Sequence, residues 1–237
     1  MRLGMQILKS EKAYDLWAET YDESKDNAVL AAEEHAASPL IRRVAAGLTN
    51  AVDFGCGTGR HIPDLLDAGV RSVVAIDQSY PMLMRARSKF PHGAVSFVRC
   101  RLLSLPIRPG SFDLGLACLV LGHEPSLSGP LKTISSALKP GGHLVISELH
   151  PDFEKRGWKR TFSVRGTLRQ NYAVENFAHQ EEEYQAAFKE NALDVRASEI
   201  PKVDESLKPI FDRTGMTDVY QQFQGAPLLL VYLLRKK

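Results

Sequence analysis

The chain has 237 residues, 44% of them hydrophobic and 24% charged, which suits a globular α/β protein long enough to bury a sizeable core. Its 30 Lys and Arg against 28 Asp and Glu leave a formal charge of only +2, which argues against a chain-wide electrostatic footprint for nucleic acid and leaves room for a local basic patch. No apolar run approaches the roughly 20 residues of a membrane-spanning helix, and the longest, APLLLVYLL at 226–234, reads as a strand.

Residues 1–10 hold Arg2 and Lys9 without a long apolar block or a small-residue cleavage site, which predicts no signal peptide. Cys56, Cys100 and Cys118 follow no ligand spacing, which predicts no metal site and a reducing, cytoplasmic setting. Glu11–Tyr21 has helical composition, with Tyr14, Trp17 and Tyr21 recurring at i, i+3 and i+7 on one face. A second helical stretch over 28–48 is interrupted near Ser38-Pro39.

The next stretch, NAVDFGCGTGR at 50–60, organises the rest. Ala51-Val52 and Phe54 read as the end of a buried strand. Gly55, Gly57 and Gly59 alternate through a tight turn, and residues 61–68 read as a helix with Thr58 as its N-cap. Strand, glycine turn and helix open a nucleotide-binding βαβ unit. Glycine suits the turn because the backbone visits φ > 0 there and a ligand must approach without Cβ atoms in the way. Residues 71–77 form the next strand, which ends on Asp77, about 20 residues past the turn, where a ribose-binding acid belongs. A carboxylate there accepts hydrogen bonds from both ribose hydroxyls.

A dinucleotide site asks for G-x-G-x-x-G, but Arg60 stands at the last glycine position and the third glycine is Gly59, which disfavours NAD and FAD. VDFGCGTGR resembles motif I of class I S-adenosylmethionine (SAM) methyltransferases of the small-molecule types, with Asp53 as the acid that opens the motif and Asp77 as the acid that ends the second strand. SAM carries ribose and adenine but no pyrophosphate. The resemblance implies a Rossmann-like α/β fold: a seven-stranded, mostly parallel sheet, helices on both faces, and an antiparallel last strand. It implies SAM binding by Asp53, Gly55, Cys56, Gly57, Gly59, Asp77 and Gln78. YDLWAETYD at 14–22 resembles the segment that covers SAM, so Tyr14, Trp17 and Tyr21 either pack a helix on the domain, meet the sulfonium by cation–π attraction, or do both.

Further along, 81–90 reads as a helix and 94–98 as a strand. Arg101 stands where relatives carry an acid that touches adenine, which leaves the backbone at Leu102 as the expected contact. Residues 111–121 read as a central strand with Leu119 near its end on the cofactor side. His123 follows, where relatives often place a histidine facing the methyl-transfer centre. A helix over 131–138 leads to LKPGG at 138–142, a turn into a strand at 143–147 with Glu148 and His150 at its end. His123 and His150 are the expected catalytic residues, His123 the better placed as a base.

Residues 151–177 interleave aromatic and basic side chains, among them Phe153, Trp158, Arg160, Phe162, Arg165 and Arg169. They read as a flap over the acceptor or as a basic face for RNA or a phosphorylated partner; relatives favour the flap. A helix at 179–191, a strand at 193–200, a short helix at 204–213 and a reversed last strand at 226–234 complete the chain. The expectation is one methyltransferase domain over 1–237, with a helical segment at 1–48 and a lid at 151–180. It would act as a monomer or homodimer and transfer a methyl group from SAM to an O, N or C nucleophile of a small molecule. RNA or protein methylation, a non-methyl reaction on a SAM-binding protein and NAD-dependent oxidoreduction are the alternatives.

Overall fold

The computed structural model describes residues 5–23, 27–91, 93–164 and 171–237. In chain order the elements are β1 (Gln6–Leu8), α1 (Ser10–Trp17), α2 (Ala28–Ala45), β2 (Asn50–Phe54), α3 (Ile62–Asp67), β3 (Ser72–Asp77), α4 (Tyr80–Lys89), β4 (Val95–Arg99), β5 (Phe112–Cys118) and α5 (Ser128–Ala137). Then come β6 (Leu138–Leu149), α6 (Pro151–Lys155), β7 (Thr161–Ser163), β8 (Asn171–Val174), α7 (Glu181–Glu190), β9 (Leu193–Glu199), α8 (Lys208–Arg213), α9 (Thr217–Phe223) and β10 (Leu229–Lys236).

Seven strands form one sheet in the order β4-β3-β2-β5-β6-β10-β9. Pairings among β4, β3, β2, β5 and β6 are parallel, and β10 is antiparallel to both neighbours. Successive strand residues face opposite sides, so both faces are apolar and both are covered. Val52, Phe54 and Ala117 face Leu131 and Ile134 of α5 and Tyr184 and Phe188 of α7. Ala51, Leu114 and Leu116 face Ala37, Ile41 and Ala45 of α2 and Leu65 of α3. Tyr184 and Phe188 are buried, each worth about 1.5–3 kcal/mol in water-excluded apolar area. The expected fold class holds, including the reversed last strand. Chain direction across the sheet switches between β2 and β5, and ligands bind at the carboxyl ends of strands at such a point.

Several local expectations change. The second helical stretch is not interrupted: α2 runs through Pro39. Proline there removes one donor, but Ala37, Ile41 and Ala45 are completely buried around it, and that packing holds the helix together. Thr58 does not cap α3, which starts later with His61 at its N-cap position; the Thr58 hydroxyl donates to Asp22 at 2.7 Å instead. LKPGG is a bulge inside β6, not a turn before it. Phe112 pairs with Leu138 and Leu114 with His143, so residues 139–142 loop out opposite Asp113. A Cβ on Gly142 would lie 2.9 Å from the Lys139 carbonyl oxygen, so only glycine fits. Three elements went unseen, α6, α9 and the three-residue β1.

The segment after β6 starts as helix α6 and continues as an antiparallel pair, β7 with β8. β1 adds in parallel to β8, giving a small second sheet of order β1-β8-β7. Arg165 and Arg169 lie outside the described residues. Among the described residues no helix is long and apolar enough to cross a membrane.

Candidate cofactor and acceptor site

The glycine turn leaves β2 with Gly55 and Cys56 both donating backbone N–H to the Ile76 carbonyl at 2.8 Å. Gly57 N–H then donates to Asp77 Oδ2 and Ser79 N–H to Asp77 Oδ1, each at 2.8 Å. Backbone amides thus fix the carboxylate, which lines the cavity beside the turn. Burial pushes Asp77 up to about 6 against those hydrogen bonds, and burial pushes Asp53 up to about 6 as well.

The three glycines do different work. Gly55 has φ +72, and a Cβ on it would lie 2.4 Å from Val120 Cγ2. Gly57 has φ +54 and open space where its Cβ would be, so its backbone forms a cradle a ligand can approach. We expect Gly55→Ala to lower the melting temperature sharply. Gly57→Ala should cost only about 1–2 kcal/mol of left-handed strain yet lose most S-adenosylhomocysteine (SAH) affinity. Calorimetry paired with thermal melts separates the two, and equal SAH affinity in Gly57→Ala would dismiss the cradle. Gly59 is not on the cavity wall: its Cβ would meet Ile62 at 2.8 Å and Phe90 at 3.0 Å, so it serves packing.

One cavity collects Tyr14, Tyr21, Asp53, Gly55, Cys56, Gly57, Asp77, Gln78, Arg101, Leu102, Leu119 and His123. Twelve of the residues expected at the site therefore meet, and three do not. Besides Gly59, Trp17 sits behind the wall, stacked on Phe162 with ring centroids 5.0 Å apart. The i, i+3, i+7 spacing fixes a shared helix face but not what covers its middle, and β7 covers it. His150 turns away; its Nδ1 accepts from Asp152 N–H at 3.2 Å and its Nε2 lies 3.5 Å from Glu181. Arg101 reaches back to Glu11 of α1 at 2.9 Å, and Gln78 donates to Ser10 at 2.9 Å, so both tie α1 over the cavity.

The roof is aromatic. Tyr14 stands 2.9 Å from His123 Nε2, and His123 Nδ1 is 3.0 Å from the Glu175 carbonyl. A carbonyl only accepts, so Nδ1 carries the proton and Nε2 accepts from the Tyr14 hydroxyl. Burial first, and Arg160 second, push His123 down to about 4. The loop bearing His123 is held from below by Glu148, which accepts Leu121 N–H at 2.5 Å and which burial raises to about 7. Leu119 has φ +56, an uncommon conformation for a bulky residue that concentrates at functional sites. Burial raises the thiols of Cys56, Cys100 and Cys118, so none is an activated nucleophile.

Sequence reasoning missed a buried charge knot beneath the turn. Glu33 of α2 pairs with Arg60 at 2.5 Å and His61 at 3.1 Å and accepts from Ser147 Oγ at 2.7 Å. His61 also meets Asp64 at 3.1 Å. Carboxylates at both ring nitrogens raise His61 well above its ordinary value, the Glu33 charge leading against desolvation. Glu33, His61 and Cys118 bring donor atoms within 4.8 Å of one another, but Arg60 and the protonated His61 already hold the Glu33 carboxylate. Arg60 was read only as a lost glycine; its charge was the available signal. Arg160 was one of many basic residues in the flap, and nothing in its spacing marked it as buried.

Residues 52–146 match the family described as methyltransferase domain. The tRNA U34 carboxymethyltransferase of Hahella chejuensis is 31% identical over 101 residues, 41% of this chain and 31% of that protein. The O-methyltransferase cnsE of Penicillium expansum is 34% identical over 122 residues, 48% of this chain and 44% of that one. The chain thus spans less than half the length of these curated relatives. A putative S-adenosylmethionine dependent methyltransferase from Listeria monocytogenes shares the fold at TM-score 0.68 and 19% identity, covering 88% of this chain and 99% of its own. Residues 52–146 thus match a methyltransferase domain, and the strand order that carries the glycine turn and Asp77 is the fold shared with S-adenosylmethionine-dependent methyltransferases.

Proposed function

We propose that the chain transfers the S-methyl group of SAM to an O, N or C nucleophile of a small-molecule acceptor. The observation that carries this reading is a second cavity of about 380 Å³, lined by Trp17, Phe153, Trp158 and Phe162 among others, which shares Arg160 with the first. Its size suits a small ligand. SAM, when bound, supplies the electrophilic methyl group. Asp77 receives the ribose hydroxyls, the Gly57 cradle admits the nucleoside, Leu102 offers backbone to the adenine, and Tyr14 and Tyr21 offer aromatic faces to the sulfonium. Arg60, which stands at the last glycine position of a dinucleotide motif, is tied to Glu33 and is not free to meet a pyrophosphate.

The flap supports a small acceptor over RNA. Arg160 is buried, not spread on a solvated face, and Lys155 is engaged by Asp152 and Gln180. The test is incubation of metabolite and RNA fractions with methyl-labelled SAM, read by mass. Label in a small molecule supports the reading; label in RNA alone, or SAM bound without transfer, overturns it.

His123 is neutral at pH 7 with its Nε2 taken by Tyr14, an arrangement that suits holding the Tyr14 ring over the cofactor better than removing a proton. We expect His123→Asn to lose only a few-fold in single-turnover rate at saturating SAM, with the pH profile unchanged in shape. A loss of about 10²–10⁴-fold together with the acidic limb would instead make His123 the base.

A further inference from the structure

The Arg160 side chain is unusual for a cation. It is 5% exposed. Its guanidinium carbon lies 5.6 Å from the ring centroids of both Tyr14 and Trp17, and Nη2 donates to the Tyr21 oxygen at 3.4 Å. Its Nε has no hydrogen-bond partner, and among the described residues no carboxylate forms an ion pair with it. Arginine does not shed its proton, so the positive charge stays buried. Two aromatic faces offset part of the desolvation, but a fork of donors with an unused N–H calls for an anion.

Arg160 also lies on the walls of both the cofactor cavity and the adjoining one. That second chamber is walled by Phe153, Trp158, Phe162, Phe211 and Leu228, and among its described residues Arg160 is the one cation and Glu23 the one anion. One planar guanidinium matches one planar carboxylate, whereas a phosphate dianion would call for more cations than the chamber offers.

Resting on the methyl-transfer reading, we propose that Arg160 seats the carboxylate of the acceptor, which is an apolar, carboxylate-bearing molecule whose body fills the second cavity. The carboxylate at the cavity junction then fixes which atom of the acceptor faces the cofactor. The same chemistry could be met by the carboxylate of the cofactor's methionine tail, and the test separates the two.

Calorimetry with SAH saturating would compare aryl-acetic and cinnamic acids with the corresponding amides on the parent protein. The acids should bind roughly tenfold tighter or more. Arg160→Gln should erase that difference while keeping SAH affinity within about threefold. Thermal melts without ligand add a readout: Arg160→Met removes an unpaired buried charge and should raise the melting temperature by about 2 °C or more. Equal binding of acids and amides to the parent overturns the proposal without any variant. A tenfold or greater loss of SAH affinity in Arg160→Gln assigns the carboxylate to the cofactor and also overturns it, and a lower melting temperature in Arg160→Met makes the charge structural. A parent that fails to bind SAH sinks the methyl-transfer reading itself, whereas SAH binding without acid selectivity sinks only this inference.

Discussion

Glu33→Gln is expected to lower folding stability by about 3–5 kcal/mol, since it breaks a buried pair and leaves its partners uncompensated. Glu33 is completely buried, and its carboxylate meets Arg60, His61 and Ser147 at once. At about 2–4 °C per kcal/mol for a chain of this size, the melting temperature should fall by roughly 6–20 °C. The pH dependence has two limbs. Glu33 is held far below the ordinary carboxylate range by the His61 and Arg60 charges, which outweigh its burial. Its contribution is therefore present above the unfolded value of about 4.3 and is lost as pH falls below it. His61 is raised, so its contribution is present below about 6.5 and is lost as pH rises through the higher folded value. The parent-minus-variant difference should peak between those limits. Urea unfolding of both proteins from pH 4 to pH 9 measures it, and a difference within 1 kcal/mol throughout would remove the knot from the account of stability.

The parts of this site that could be read from sequence are those made by neighbours in the chain. Gly55, Gly57 and Asp77 lie in one strand–turn–helix–strand unit whose geometry is nearly fixed by its own residues, and the turn and acid meet as expected. The seven-stranded, mostly parallel sheet with its reversed last strand followed from resemblance, since alternating apolar patterns reveal strands but not their neighbours. What stayed hidden depends on contacts between distant segments. Glu33 is one of two adjacent acids on α2 until the helix lies across the glycine turn, 28 residues from His61 in the chain. Trp17 shares a helix face with Tyr14 and Tyr21, but Phe162 of β7 decides which of them sees the cavity. Pro39 reads as a helix break on local chemistry, and core packing on both sides overrides it. His150 follows a strand that ends at the right edge, yet α6 and α7 draw its ring away through Asp152 and Glu181.

The other large effect concerns Asp77. Replacing it with alanine should remove two charge-assisted hydrogen bonds to the ribose, each worth about 1.5–3 kcal/mol, so SAH affinity should fall roughly 10²–10⁴-fold. The carboxylate also accepts from Gly57 and Ser79, and part of the loss would come from the turn relaxing. Asp77→Asn keeps an acceptor for one of those amides and isolates the charge; its loss should be the smaller of the two. The parent should show a pH signature. Because burial holds Asp77 at about 6 in the free protein and the ribose hydroxyls donate to the anion, affinity should be flat above that value. It should fall as pH drops through it, approaching tenfold per unit once the group is protonated before binding. Without ligand the sign reverses: a raised carboxylate pKa means Asp77 contributes stability below its unfolded value of about 3.9, and this is lost as pH rises through about 6. Asp77→Asn should abolish the affinity trend and only weaken the stability trend, because Asp53 is also raised to about 6. Titration calorimetry with SAH from pH 5 to pH 8 on the three proteins decides the matter, and unchanged affinity in Asp77→Ala would withdraw Asp77 from the nucleoside site.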